Sequence, residues 1–205
     1  MPKILILFII FLVVYRLKLS RIKSNHKDDV EQFMQKELEA SKVRKTPMED
    51  LPVLTIDIDH LPLWKNAPTD SKKQPIWEAQ QRVLEAAILP MSNLADQSNI
   101  ELKLQYGPAN LEILTNYESN FVRFTQSLFE WSKSLQNAGH EKEAISILEY
   151  AVDMDTDLSQ IYRLLGDLYK QKKQPQKLKS LQEKAAQFSS PTMINITTYL
   201  SSLLE

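Results

Sequence analysis

Residues 128–185 read LFEWSKSLQNAGHEKEAISILEYAVDMDTDLSQIYRLLGDLYKQKKQPQKLKSLQEKA. Apolar residues recur at three- and four-residue intervals, the period of a helix that buries one face. Asn137-Ala138-Gly139 breaks the pattern with a helix C-terminal signal. The stretch also matches itself at a shift of 34. Leu128 falls on Tyr162, Trp131 on Leu165, Ser132 on Gly166, Leu135 on Tyr169, Ala144 on Leu178 and Ala151 on Ala185. Each unit is helix, short turn, helix, and a period of that length marks a stacked repeat.

Working outward, residues 191–204 read as a terminal helix that caps the array. Pro191 stands near its start, and Ile194, Ile196, Tyr199, Leu200, Leu203 and Leu204 are apolar. On the other side, Leu111, Leu114, Tyr117, Phe121 and Phe124 continue the helical pattern from Asn110. Gly107-Pro108 is a break. Residues 91–107 fit two patterns: Ile100, Leu102, Leu104 and Tyr106 alternate as in a strand, while Leu94, Gln97, Glu101 and Leu104 fit a helix. A helix starts near Pro75, carries Ile76, Trp77, Gln80, Val83, Leu84, Ala87 and Ile88, and ends or kinks at Pro90. Five of the ten prolines fall within residues 47–75, at Pro47, Pro52, Pro62, Pro68 and Pro75. That density forbids a continuous helix or a central strand. The segment still carries Val53, Leu54, Ile56, Ile58, Leu61, Leu63 and Trp64, so it reads as an extended arm lying on the helical body, with room for a short strand at 53–58. Residues 28–46 read as a juxtamembrane stalk helix with a partial apolar stripe of Val30, Phe33, Met34 and Leu38.

In the second unit Tyr162, Leu165, Gly166 and Tyr169 have the spacing aromatic-x-x-Leu-Gly-x-x-Tyr. This resembles the tetratricopeptide repeat family over about residues 125–190, in two degenerate units. The resemblance implies small residues where paired helices approach, here Gly166, Ala144, Ala151 and Ala185, and large ones between, here Tyr162, Leu165, Tyr169, Trp131 and Leu148. Three positions depart from the family pattern. Lys173 stands where a turn glycine is expected, Leu178 replaces a small residue, and Thr156 replaces the proline closing the first unit. The family's concave groove holds a peptide or partner helix. By resemblance it is lined here by Arg163, Asp167, Lys170 and Gln171, and by their counterparts in the first unit, Phe129, Lys133, Gln136 and Asn137. The expected fold class is therefore all-α: a helix-turn-helix repeat array with capping helices over residues 76–205, preceded by a membrane helix and a Pro-rich arm.

Composition narrows the function. The 205 residues are 43% apolar and 25% charged, a globular balance. There is no cysteine, which excludes disulfides, thiolate zinc sites and a cysteine nucleophile. Three scattered glycines exclude a P-loop or a dinucleotide-binding loop. The net charge of -1 hides an asymmetry: residues 1–27 hold six of the 25 basic residues and none of the 26 acidic ones. The rest is mildly acidic, a poor surface for nucleic acid.

The basic block adjoins Ile4 to Tyr15, ILILFIIFLVVY. Twelve residues span only about 18 Å of a hydrocarbon core about 30 Å thick, but Lys3, Arg16 and Lys18 can snorkel to the headgroups. An uncleaved anchor over residues 1–19, with a basic flank to 27, is the preferred reading. A cleaved signal and a buried core segment are the alternatives; no small-x-small cleavage site comes after the run. One lysine precedes the segment and five basic residues succeed it, so the body is expected on the cytoplasmic side. The reverse orientation stays open, because short anchors led by Lys also resemble export signals. The layout suggests a bacterial cytoplasmic membrane.

One further motif bears on chemistry. Val53 to His60 reads VLTIDIDH, which resembles the first motif of haloacid-dehalogenase-like phosphatases. The resemblance implies Asp57 and Asp59 as nucleophile and proton carrier, with magnesium between them. That chemistry needs a parallel sheet and further carboxylates, whereas residues 61–89 are Pro-rich and then helical. Solvated aspartates in a turn are the simpler account, with His60 beside them as a weak metal ligand at most. The expected function is a membrane-tethered scaffold or adaptor that binds a protein or peptide, without enzymatic activity, cofactor, metal, nucleic acid or small-molecule substrate. The alternatives are a self-associating structural protein whose groove is filled by its own arm and, remotely, a phosphatase.

Overall fold

The computed structural model describes residues 8, 11, 12, 15, 16 and 30–205. The expected anchor and its basic flank otherwise lie outside the described residues. Among the described residues the fold is all-α, with no strand, and no helix is long and apolar enough to cross a membrane. Helix α1 covers 30–40, followed by α2 (Gln74–Ala87), α3 (Asn99–Tyr106), α4 (Leu111–Asn137), α5 (Glu141–Asp153), α6 (Ser159–Gln171), α7 (Pro175–Ala185) and α8 (Pro191–Leu204). The chain divides into two compact units, Met1–Leu51 with Gln97–Leu111, and Pro52–Asp96 with Glu112–Glu205.

In the first unit α1 stops at residue 40, short of the expected 46. Ser41 donates to the Leu38 carbonyl at 2.7 Å, and the Thr46 N–H is spent on the Tyr106 carbonyl at 3.0 Å. Pro47 also disfavours helical backbone at Thr46. Asn110 Nδ2 donates to the carbonyls of Thr46 and Tyr106, each at 2.8 Å, tying the end of α3 to the chain that leaves α1. Residues 99–106 are helix, not strand. Ser98 accepts from the Glu101 N–H at 3.3 Å, and Glu101 accepts from the Ser98 N–H at 2.7 Å. This reciprocal capping box fixes the first turn of α3.

The second unit is built from antiparallel helices. Pro75 sits in the first turn of α2, and Ile76, Ala79, Val83 and Ala86 bury one face. Arg82 lies 3.6 Å from Glu130 on α4, while Asn120 of α4 donates to the Pro90 carbonyl at 2.9 Å. The two helices therefore run in opposite directions. Helix α4 is about 40 Å long at 1.5 Å per residue. Its stripe of Leu114, Phe121, Phe124, Leu128, Trp131 and Leu135 is buried.

Two helix ends 34 residues apart carry the same backbone hydrogen bonds. At the end of α4, Gly139 N–H donates to Gln136 O at 3.0 Å and His140 N–H to Leu135 O at 2.9 Å. At the end of α6, Lys173 N–H donates to Lys170 O at 3.1 Å and Gln174 N–H to Tyr169 O at 2.9 Å. Both are Schellman caps, closed by a left-handed residue: φ is +83° at Gly139 and +55° at Lys173. The small positions Ala144, Ala151, Gly166 and Ala185 and the large positions Trp131, Leu148, Tyr162, Leu165 and Tyr169 are all buried. Helix α8 packs on α6 and α7. A Cβ at Gly166 would overlap Leu200 and lie 3.3 Å from Leu203.

The segment 53–58 is extended but pairs with no strand. Leu54 N–H donates to Met91 O at 2.8 Å, and Ser92 donates to the Pro52 carbonyl. Buried Gln80 holds both backbone groups of Trp64, accepting from its N–H at 2.7 Å and donating to its carbonyl at 2.9 Å. Leu61 is buried in the core, with Ile56, Ile58, Leu63 and Trp64 packed against it.

Candidate functional site

Helices α4 and α6 end in matching caps 34 residues apart. Between them is a cleft of about 270 Å³ lined by Phe129, Lys133, Gln136, Gln160, Arg163, Leu164 and Asp167. Phe129 and Leu164 are half-buried and apolar, whereas Lys133, Gln160, Arg163 and Asp167 are exposed. Five of the eight residues expected to line a groove meet here: Phe129, Lys133, Gln136, Arg163 and Asp167.

The other three go elsewhere. Lys170 donates to the Leu203 carbonyl on α8. Gln171 donates to Glu141 at 2.9 Å. Asn137 lines a separate cleft with Asp70, Lys72, Lys73 and His140. Each lies in the last turn of its helix, just before a Schellman cap, and has followed the helix end out of the shared face.

Three contributors were not singled out from sequence. Gln160 and Leu164 complete an i, i+3, i+4, i+7 stripe with Arg163 and Asp167, a signal present in the spacing. Tyr199 had no such signal, since it comes from α8 and the residue 34 positions earlier is the buried Leu165. The Arg163 guanidinium lies 4.2 Å from the centre of the Tyr199 ring, and the Tyr199 hydroxyl donates to Asp167. That hydrogen bond, then burial, raises the Tyr199 pKa above the ordinary phenol value. Lys133 has no ion-pair partner among the described residues, while Asp167 already engages Tyr199. The cleft therefore combines an apolar floor with two cations, Lys133 and Arg163, that no carboxylate among the described residues clamps in an ion pair.

Asp57 and His60 line a different cleft of about 330 Å³ with Tyr150, Asp153 and Asp155. Asp57 Oδ1 accepts the Asp59 N–H at 3.0 Å, a local turn that uses the carboxylate structurally. His60 Nδ1 stands 4.0 Å from Asp57, and its ring meets Tyr150 edge-on at 5.1 Å. Burial first, and the Asp57 charge second, raise the Tyr150 hydroxyl above its usual range. Among the described residues no cluster of three His, Cys, Asp or Glu side chains is placed to hold a metal ion.

No protein-family model, curated protein or solved structure gives a significant match to the chain.

Proposed function

We propose that this protein is a membrane-tethered adaptor whose tetratricopeptide-like helix pairs bind a protein segment in the α4–α6 cleft. The observation that carries the reading is the meeting of Phe129, Lys133, Gln136, Arg163 and Asp167 around one apolar floor. The matching Schellman caps, one repeat apart, support repeat-type stacking. Helix α2 would cap one end of the array and α8 the other. The apolar run 4–15 and the basic flank to Lys27 would hold the body at the cytoplasmic face of a membrane, raising its local concentration near a membrane complex.

No arm residue lines the cleft, while Leu61 and Trp64 are held on the core side. This favours an open groove over one filled by the arm. The phosphatase reading finds no support in the turn that occupies Asp57.

The test is an affinity capture from gently solubilised membranes with three forms of the chain: full length, a form lacking residues 1–27, and full length carrying Lys133→Glu with Arg163→Glu. A partner held by the first two and lost from the third is the expected result. Retention by the charge-reversed form removes the cleft from recognition; retention by full length alone moves recognition to the N-terminal segment.

A further inference from the structure

The charge of the α4–α6 cleft runs against that of the body around it. Residues 28–205 hold 26 acidic residues against 19 basic ones, yet the cleft presents Lys133 and Arg163 against a single carboxylate, Asp167. Lys172, Lys177 and Lys184 of the same compact unit each reach a carboxylate. The two cations of the cleft are left without one among the described residues.

Arg163 is also held in a particular way. Its guanidinium lies over the Tyr199 ring, 4.2 Å from the centre. A guanidinium stacked by its face keeps its in-plane N–H donors for an acceptor, and their fork matches a carboxylate. The Tyr199 hydroxyl donates to Asp167, so the carboxylate of the cleft is engaged by a phenol instead of by Arg163. One tyrosine thus supports the cation and occupies its nearest competitor.

We infer that the occupant of this cleft is an acidic segment of a partner protein, with an Asp or Glu side chain on Arg163 and an adjacent apolar side chain on Phe129 and Leu164. Lys133 adds the second positive charge. The inference rests on the α4–α6 cleft being the recognition surface and narrows what that surface takes. Nucleic acid fits less well, because its phosphates would meet the acidic remainder of the body and leave the apolar floor unused. Residues 1–27 hold no acidic side chain, so they do not supply the segment.

The test is a selection from a random-sequence peptide library displayed on phage, run on the full-length protein in mild detergent. Binders should be enriched in Asp or Glu beside an aliphatic or aromatic residue, and should weaken as salt is added. Synthesised binders are then titrated against single variants. Arg163→Gln should weaken them about tenfold and Lys133→Gln about threefold, whereas Asp167→Asn removes a like charge, keeps an acceptor for Tyr199 and should tighten them about twofold. In the Asp167→Asn background, Tyr199→Phe should bind like its parent and Tyr199→Leu more weakly, since only the first keeps the ring under Arg163. Gln160→Trp crowds the cleft from an exposed position and should block binding with the unfolding midpoint unchanged. Binders that lack Asp and Glu but are blocked by Gln160→Trp would overturn the acidic occupant and leave the cleft as the recognition surface. Acidic binders indifferent to both Gln160→Trp and Arg163→Gln, or no binders at all, would overturn the two together. Equal binding by the Tyr199→Phe and Tyr199→Leu forms would remove the stacked ring from recognition.

Discussion

Tyr162 and Tyr169 sit two turns apart on α6 and are both buried, yet their hydroxyls meet different surroundings. Tyr169 donates to Glu149 at 2.6 Å, while the Tyr162 hydroxyl is buried with no hydrogen-bond partner. An unmade buried hydrogen bond is a cost, and a charge-assisted one is a gain. Tyr162→Phe should therefore be neutral or stabilise by about 1 kcal/mol, and Tyr169→Phe should cost about 1–2 kcal/mol, read from urea unfolding. Burial, foremost in both, raises the two phenols well above their ordinary value. In the unfolded chain they ionise near pH 10, so their full contribution holds below that pH. Above it the unfolded state sheds protons that the folded state keeps. Stability should then fall by up to about 1.4 kcal/mol per pH unit for each tyrosine. A stability profile flat between pH 10 and 11 would contradict this. The turn residues give a second contrast. Lys173 adopts the left-handed conformation that Gly139 adopts 34 residues earlier. A side chain costs about 1 kcal/mol there, so Lys173→Gly should stabilise by roughly that amount and Gly139→Ala should destabilise by a similar one.

At the scale of elements, α3 is set by its cap. Ser98→Ala removes the acceptor for the Glu101 N–H and should cost about 1 kcal/mol, seen as faster amide exchange across Asn99–Tyr106. The Ser98 hydrogen bonds hold Glu101 below the usual carboxylate range. Its stabilising effect is present above the unfolded pKa and is lost as pH falls through the lowered folded value. The Ser98-x-x-Glu101 signature was present in the sequence, but the alternation of Ile100, Leu102, Leu104 and Tyr106 competed with it; only Leu102 of that series is buried, so the alternation has no one-sided face behind it. The early stop of α1 was hidden because the bond that uses the Thr46 N–H comes from Tyr106, far along the chain. Helices α4 to α7 were legible because their signals are local: apolar period, left-handed turn and small residues at close approach. Gly166 is one such residue. A methyl group there collides with Leu200, whose side chain is fully buried. Gly166→Ala gains about 1 kcal/mol of helix propensity and loses about 1–3 kcal/mol to overpacking. The expected net is a loss of up to about 2 kcal/mol in urea unfolding, with α8 exchanging its amides faster than α5.

For the molecule as a whole, the decisive issue is whether the arm is ligand or core. Five of the eight residues expected in a groove line one cleft, because helical spacing runs alike along α4 and α6, but nothing in that spacing marks which helix face the arm covers. That depends on Gln80, a polar residue on an otherwise apolar stripe whose amide satisfies both backbone groups of Trp64. Gln80→Ala leaves those groups unpaired and should cost about 2 kcal/mol. Leu61→Ala removes a side chain only 4% exposed and should cost about 2–4 kcal/mol. Neither change touches Phe129, Lys133, Arg163 or Leu164, so partner retention per folded molecule should be unchanged. Lys133→Glu with Arg163→Glu alters two exposed side chains and should leave stability within about 1 kcal/mol while abolishing retention. Measured together, unfolding midpoint and partner retention thus separate along different residues. The crossed pattern, in which arm variants raise retention and the charge reversal has no effect, would make the arm a resident ligand of the recognition surface and the α4–α6 cleft a bystander.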